Sequence, residues 1–264
     1  MRVRIIFSVK NRGAILPFHH QNILTDFIKE TLAGGMEKSF IEYPFYNFSG
    51  LKGQTKISKK GLHYTSQKTT LVLSSPSQEF IDHFLFNLFK NETVRLGELI
   101  LSPLSVEKEE AVALGDAVKY VCISPIVIIN PCISQTHNPK GFILPDNDLF
   151  SDLLYDSTMI RMEKSGVYSN EQIASFFKFQ IVPDKEYLNK IKSEEKKFAR
   201  IYTIPLEDNK YEVRGYTFPF TLYAAPEVQY FLYNCGLGIF ADRGFGMVDL
   251  ATLGTERKTE KYFF

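Results

Sequence analysis

The first apolar pattern has period two. Val3, Ile5, Phe7 and Val9 alternate with Arg2, Arg4, Ser8 and Lys10, which predicts a half-buried strand. Residues 11–16 read as a loop, with Pro17 opening the next element. From Gln21 to Leu32 the spacing changes. Ile23, Leu24, Phe27, Ile28 and Leu32 form one helical face, and Gly34-Gly35 supply the stop. Tyr43–Phe48 is aromatic-rich and Thr69–Leu73 is β-branched and Leu-rich, so both read as strands. Between them lies a polar turn region, Gly50–Gly61. A second helix is expected behind Ser75 as N-cap, with Pro76 at its first helical position, Gln78 completing a capping box, and Phe80, Ile81, Phe84, Leu85 and Leu88 as its buried stripe. Val94–Val106 reads as one or two strands broken by Pro103.

After the charged break Glu107–Glu110 the pattern starts again. Strands are expected over Tyr120–Asn130, Phe177–Ile181, Ala199–Pro205, Tyr211–Tyr223 and Met247–Leu250. Helices are expected over Asp148–Met162 and from Pro226 to Gly236, and Lys190–Lys197 reads as a solvated helix face or loop. The first half runs strand, helix, strand, strand, helix, strand, the order of a split βαβ unit, and the second half repeats it. The expected fold class is therefore α+β, with two tandem ferredoxin-like (RRM-like) domains over 1–110 and 111–250. Residues 251–264 form a tail that the pattern does not place.

Composition narrows the picture. The chain has 264 residues, 44% of them hydrophobic, which is enough for a real core. No apolar run approaches the roughly 18 residues of a membrane helix, and the first ten residues lack the features of a signal peptide. Cys122, Cys132 and Cys235 form no CxxC pair, which suits a reducing, cytoplasmic setting and argues against a disulfide framework. The five histidines form no HExxH pattern, so neither a metal nor another cofactor is expected. Net charge is only +1, so any polyanion site must rest on local basic patches.

One segment carries candidate chemistry. Gly236-Leu237-Gly238-Ile239-Phe240-Ala241-Asp242-Arg243-Gly244-Phe245-Gly246-Met247-Val248 joins a helix to a strand. A P-loop would need Gly-Lys-Ser/Thr, and a dinucleotide fingerprint would run from strand into helix, so both are excluded. Two readings stay open. In one, Gly236, Gly238, Gly244 and Gly246 expose amides to a phosphate beside Arg243. In the other, the segment is a helix C-cap followed by a tight connection into an edge strand.

This segment resembles the C-terminal glycine-rich loop of the repeat-associated CRISPR protein superfamily. Its close, Gly244-Phe245-Gly246-Met247-Val248, is typical of the repeat-processing endoribonucleases, the sixth Cas family. Leu16-Pro17-Phe18-His19-His20-Gln21 resembles that family's approach to its first helix, Tyr46-Asn47-Phe48-Ser49 a Phe-Thr-Phe-Ser element, and Cys122-Ile123-Ser124-Pro125-Ile126-Val127 the strand opening its second domain.

The resemblance implies two ferredoxin-like domains and binding of CRISPR repeat RNA. It also implies metal-independent cleavage by 2′-hydroxyl attack, giving a 2′,3′-cyclic phosphate and a 5′-hydroxyl; the alternative is a relative that holds repeat RNA without cutting it, or a subunit of an interference complex. Other Cas proteins are further implied partners, and the chain would act as a monomer or homodimer. Such chemistry asks for a base, an acid and a cation at the phosphorane. Many members place a histidine just after the first helix and a tyrosine within it. Here no histidine lies between Gly34 and Ser49, and Lys29 holds the tyrosine position. The catalytic candidates are Lys29, Lys38, Lys52, His20 and His63, with His20 equally readable as a helix-opening group bonded to backbone. Lys56, Lys59 and Lys60 join Gly236, Gly238, Arg243, Gly244 and Gly246 as expected RNA contacts.

Overall fold

The computed structural model describes residues 1–35, 39–129, 142–194, 198–206, 209–251 and 258–264. Two compact units emerge. One holds Met1–Ala111 with Asp242–Gly244 and Glu256–Phe264, and the other holds Val112–Ala241 with Phe245–Thr255.

The first unit contains β1 (Arg2–Val9), β2 (Ile15–Leu16), α1 (Gln21–Ala33), β3 (Asn47–Phe48), β4 (Thr55–Ser58), β5 (Gly61–Tyr64), β6 (Lys68–Ser74), α2 (Gln78–Phe89), β7 (Val94–Leu96) and β8 (Leu99–Glu109). Its main sheet runs β8-β1-β6-β3, antiparallel throughout, with β7 on the outer side of β8. The alternation in β1 has its predicted result. Val3, Ile5, Phe7 and Val9 are buried with Leu24, Phe27, Ile28 and Leu32 of α1 and Phe80, Ile81, Phe84, Leu85 and Leu88 of α2. Phe27 and Phe84 meet edge to face at 6.2 Å. A separate small sheet runs β2-β5-β4.

Two local expectations are corrected. The N-cap of α2 is Ser77, whose Oγ accepts from Phe80 N at 3.1 Å. Ser75 sits two residues earlier, accepting from Ser77 N and donating to Phe45 O. Pro103 does not break its strand. Ile6 pairs with Ser105 and Phe7 with Pro103, so Leu104 bulges out and the missing N–H is tolerated there.

The second unit contains β9 (Ala117–Cys122), β10 (Ile126–Val127), α3 (Asp148–Lys164), α4 (Asn170–Ser175), β11 (Phe179–Pro183), α5 (Lys185–Ser193), β12 (Ala199–Leu206), β13 (Asn209–Tyr216), β14 (Pro219–Ala224), α6 (Pro226–Cys235) and β15 (Val248–Leu250). One sheet runs β11-β14-β9-β15 and the other β10-β13-β12. The expected strand over Tyr120–Asn130, of which Asn130 lies outside the described residues, is two pieces parted at residues 123–125, and the expected strand from Phe177 starts at Phe179 and leaves Phe177 exposed. In each unit's larger sheet the first strand is central. In the first unit β1 lies between β6 and β8, which come before and after α2 in the chain; in the second, β9 lies between β14 and β15, which come before and after α6.

The tail finds a place in the first unit. β16 (Thr259–Lys261) pairs antiparallel with β8 at Glu107–Glu109. Tyr262 then donates its hydroxyl hydrogen to Asp82 Oδ1 at 2.6 Å, and Phe264 packs 5.0 Å from Phe89. No described helix is long and apolar enough to cross a membrane.

Candidate nucleic-acid interface

The glycine-rich segment spends its amides inward. Gly236 ends α6 by donating to Leu232 O at 2.8 Å. Leu237 N donates to Gly246 O (2.8 Å), Ile239 N to Val127 O (3.0 Å) and Gly246 N to Pro125 O (2.7 Å). Met247 N donates to Ser124 Oγ at 2.7 Å. The expectation that Gly236 and Gly246 turn their amides to an anion is therefore corrected, because both donors are already committed to protein carbonyls. Gly238 is buried as well, bridged to Val127. The helix C-cap and tight connection describe this part of the chain. Gly246 shows why glycine is needed: at φ +71° it lies so close to the backbone of Leu237 that a Cβ would sit 1.8 Å from Leu237 O.

The tip of the segment faces different surroundings. Ala241–Arg243 forms one 3-10 turn, with Asp242 and Arg243 half-buried. Gly244 rests on the ring of Phe48, where a Cβ would come within 2.4 Å of Phe48 Cε2. Beside it, Tyr46 is buried and stacked 4.8 Å from Phe80. Burial raises the Tyr46 phenol above its usual range, the Asp242 carboxylate adds to that, and the Arg243 guanidinium opposes it. Asp242 and Arg243 thus lie within electrostatic reach of Tyr46.

From Phe48 the chain runs directly into a tightly held segment. Ser49 N and Oγ bond Val72 O and N, and Ser49 Oγ also donates to Gly50 O. Tyr64 donates to Leu51 O at 2.7 Å. Lys52 exchanges two 2.8 Å backbone bonds with Thr70 and accepts a third, at 2.7 Å, from Thr69 Oγ. The backbone of Lys52 is fixed at three points while its side chain is exposed.

His20 lies under the same segment, 3.4 Å from where a Cβ on Gly50 would be. Its Nδ1 carries the proton and donates to Pro17 O at 3.0 Å. Its Nε2 is buried without a hydrogen-bond partner. Burial lowers its pKa from the ordinary histidine value and His19 adds to that, against the opposing backbone bonds of Pro17 and Phe18. Of the two readings of His20, the geometry matches the helix-opening group, since Nε2 has no surface from which to reach a ligand.

His63 sits in β5 opposite Lys56 of β4, so the two share a face of the hairpin. Its Nδ1 lies 3.2 Å from Gly13 O and its Nε2 2.8 Å from Ser58 Oγ. Lys56, Lys59 and Lys60 are exposed around the hairpin tip. Lys29 is half-buried on α1, and nine residues of helical rise put its Cα about 13 Å along the axis from His20. Lys38 lies outside the described residues. His83 of α2 is half-buried, with Nε2 at 3.0 Å from Asn87 Nδ2. Burial pushes the Cys122 and Cys235 thiols up to about 12. Among the described residues no cluster of three His, Cys, Asp or Glu side chains could hold a metal.

A residue without any sequence signal also bears on this site. Arg161, an ordinary last-turn arginine of α3, reaches the carbonyls at the start of the glycine-rich segment.

Comparison with known proteins agrees with this architecture. The family described as CRISPR associated protein Cas6, C-terminal, matches residues 107–250, more than half of the chain. The chain belongs to the Cas6 family. It is 23% identical over 269 positions to the CRISPR-associated endoribonuclease Cas6 1 of Methanocaldococcus jannaschii, covering 99% of this chain and 95% of that protein. Among solved structures, a Cas6-related protein from Pyrococcus furiosus superposes with a TM-score of 0.77 at 20% identity, covering 96% and 99% of the two chains. A RAMP protein described as binding different RNA substrates superposes at 0.76 with 21% identity, covering 96% and 100%.

Proposed function

We propose that this chain binds CRISPR repeat RNA and cuts the precursor transcript without a metal, by attack of the 2′-hydroxyl on the adjacent phosphate. The observation that carries the proposal is the run Tyr46–Lys52. The tip residues Asp242–Gly244 lie against Tyr46 and Phe48 at one end, and the exposed Lys52 stands at the other. Two cations, the half-buried Arg243 and the exposed Lys52, thus stand at the two ends of one chain segment. Lys52 stabilises the phosphorane and protonates the leaving 5′ oxygen, and Arg243 holds a neighbouring phosphate. Lys29, Lys38 and His63 are the remaining candidates for the base. Gly236, Gly238, Gly244 and Gly246 serve RNA binding by shaping the loop that carries Arg243. Relatives with matching names support the reading: one is an endoribonuclease and one binds RNA substrates.

The same proposal covers the architecture. Two tandem ferredoxin-like domains, 1–110 and 111–250, account for the matching strand order of the two larger sheets. Residues beyond 250 add an edge strand to the first.

The test is incubation of the protein with its cognate repeat RNA in excess chelator, followed by end mapping. One cut per repeat, with 2′,3′-cyclic phosphate and 5′-hydroxyl ends, is expected. Binding without cleavage, or cleavage only after metal is added, would overturn the mechanism.

Lys56, Lys59 and Lys60 are expected to meet phosphates flanking the cut. On a single strand each phosphate contact contributes roughly 0.7 to the slope of log affinity against log salt. Replacing all three by alanine should therefore reduce that slope by about 2 in a binding titration across salt concentrations. An unchanged slope would remove the hairpin from the interface.

A further inference from the structure

Three backbone carbonyls at the end of α6 converge on one guanidinium. Arg161 Nη2 donates to Cys235 O at 2.5 Å, and Nη1 donates to Gly236 O at 2.8 Å and Gly238 O at 3.2 Å. The guanidinium also stands over the Phe231 ring, 5.5 Å from its centroid. The last carbonyls of a helix have no intrahelical partners and carry partial negative charge, so a cation is favoured there. The amides of Gly236, Leu237 and Ile239 are committed as well, to Leu232, Gly246 and Val127. Donors and acceptors at the root of the segment are thus fixed from both sides. A lysine ammonium also has three donors, but all on one nitrogen, whereas the planar fork of arginine sets two nitrogens at fixed spacing against these carbonyls. The head of Arg161 is turned to protein carbonyls, so it acts on a ligand only through the loop.

We propose that Arg161 is a positioning residue for the RNA-binding loop. By tying Cys235, Gly236 and Gly238 to α3, it fixes the root of the glycine-rich segment. This rests on the reading above that the loop meets RNA.

The experiment compares Arg161→Met, Arg161→Lys and Arg243→Ala with the unaltered protein, by amide hydrogen exchange and by equilibrium binding of repeat RNA. Methionine keeps an unbranched apolar stem and removes the fork. Arg161→Met should speed exchange at the Leu237 and Ile239 amides about tenfold or more, with the β11-β14-β9 amides unchanged. Its RNA affinity should fall by about tenfold, the scale of one charge-assisted hydrogen bond. Arg161→Lys should fold normally, exchange at an intermediate rate and fail to recover full affinity, and it carries the test if the methionine variant does not fold. Unchanged loop exchange, or faster exchange with undiminished affinity, overturns the inference. If Arg243→Ala also binds like the unaltered protein, the reading of the loop as an RNA contact is what fails. If Arg243→Ala binds poorly and Arg161→Met binds well, only the role of Arg161 fails.

Discussion

Lys52→Ala should slow single-turnover cleavage of repeat RNA by roughly 10²–10⁴-fold, the range of one positioned acid–base group. Repeat affinity should change far less, because Lys52 would be one cation among several along the RNA. The backbone argument makes this a clean test. Lys52 is held by Thr69 and Thr70 through its main chain, so removing the side chain leaves those bonds in place. Lys52→Arg should retain charge stabilisation and lose proton donation, since a guanidinium stays protonated. Cleavage by Lys52→Ala at the unaltered rate would move the chemistry elsewhere, with Lys29 and His63 the next candidates.

Gly246→Ala should be the most destabilising small substitution in the glycine-rich segment. A methyl group there would collide with Leu237 O, and the φ of +71° is itself strained for alanine. Relieving the collision means moving the carbonyl apart from its neighbour, which weakens the Leu237–Gly246 and Gly246–Pro125 bonds. Strain of about 1–2 kcal/mol and two bonds of about 1 kcal/mol each give a loss of roughly 3–4 kcal/mol. Urea unfolding measures it, and a loss below about 1 kcal/mol would contradict the packing described. Gly244→Ala meets an aromatic side chain rather than backbone, and Phe48 can tilt, so its cost should be smaller.

Periodic faces were the most legible part of the sequence. β1 and α1 fall where their apolar spacing puts them, because one face of each is buried completely. The same holds for α6, bounded by Pro226 and Gly236. Local chemistry was less legible where two residues compete for one role. Ser75 and Ser77 both satisfy the composition of a cap, and only the backbone path shows that Ser75 is drawn to Phe45 O. Pro103 signals a break in one dimension, yet a bulge absorbs it in two. The glycine-rich segment was visible, but the direction of its amides depends on Val127 and Pro125, more than a hundred residues away. His20 likewise reveals its burial only once Gly50 is laid over it. Arg161 has no signal, because its partners are main-chain carbonyls, which leave no trace in residue type.

The outer side of β8 has a consequence beyond RNA. Its first residues are covered by β7 and its last by β16, with Tyr262 N continuing the cover to Val106 O. What is left between, Ser102–Ser105, contains a proline with no hydrogen to offer and the kink at Leu104. A stray strand from another molecule would find too short and too bent a template to zip against, so this margin of the sheet resists runaway self-association without spending a single charged gatekeeper on it.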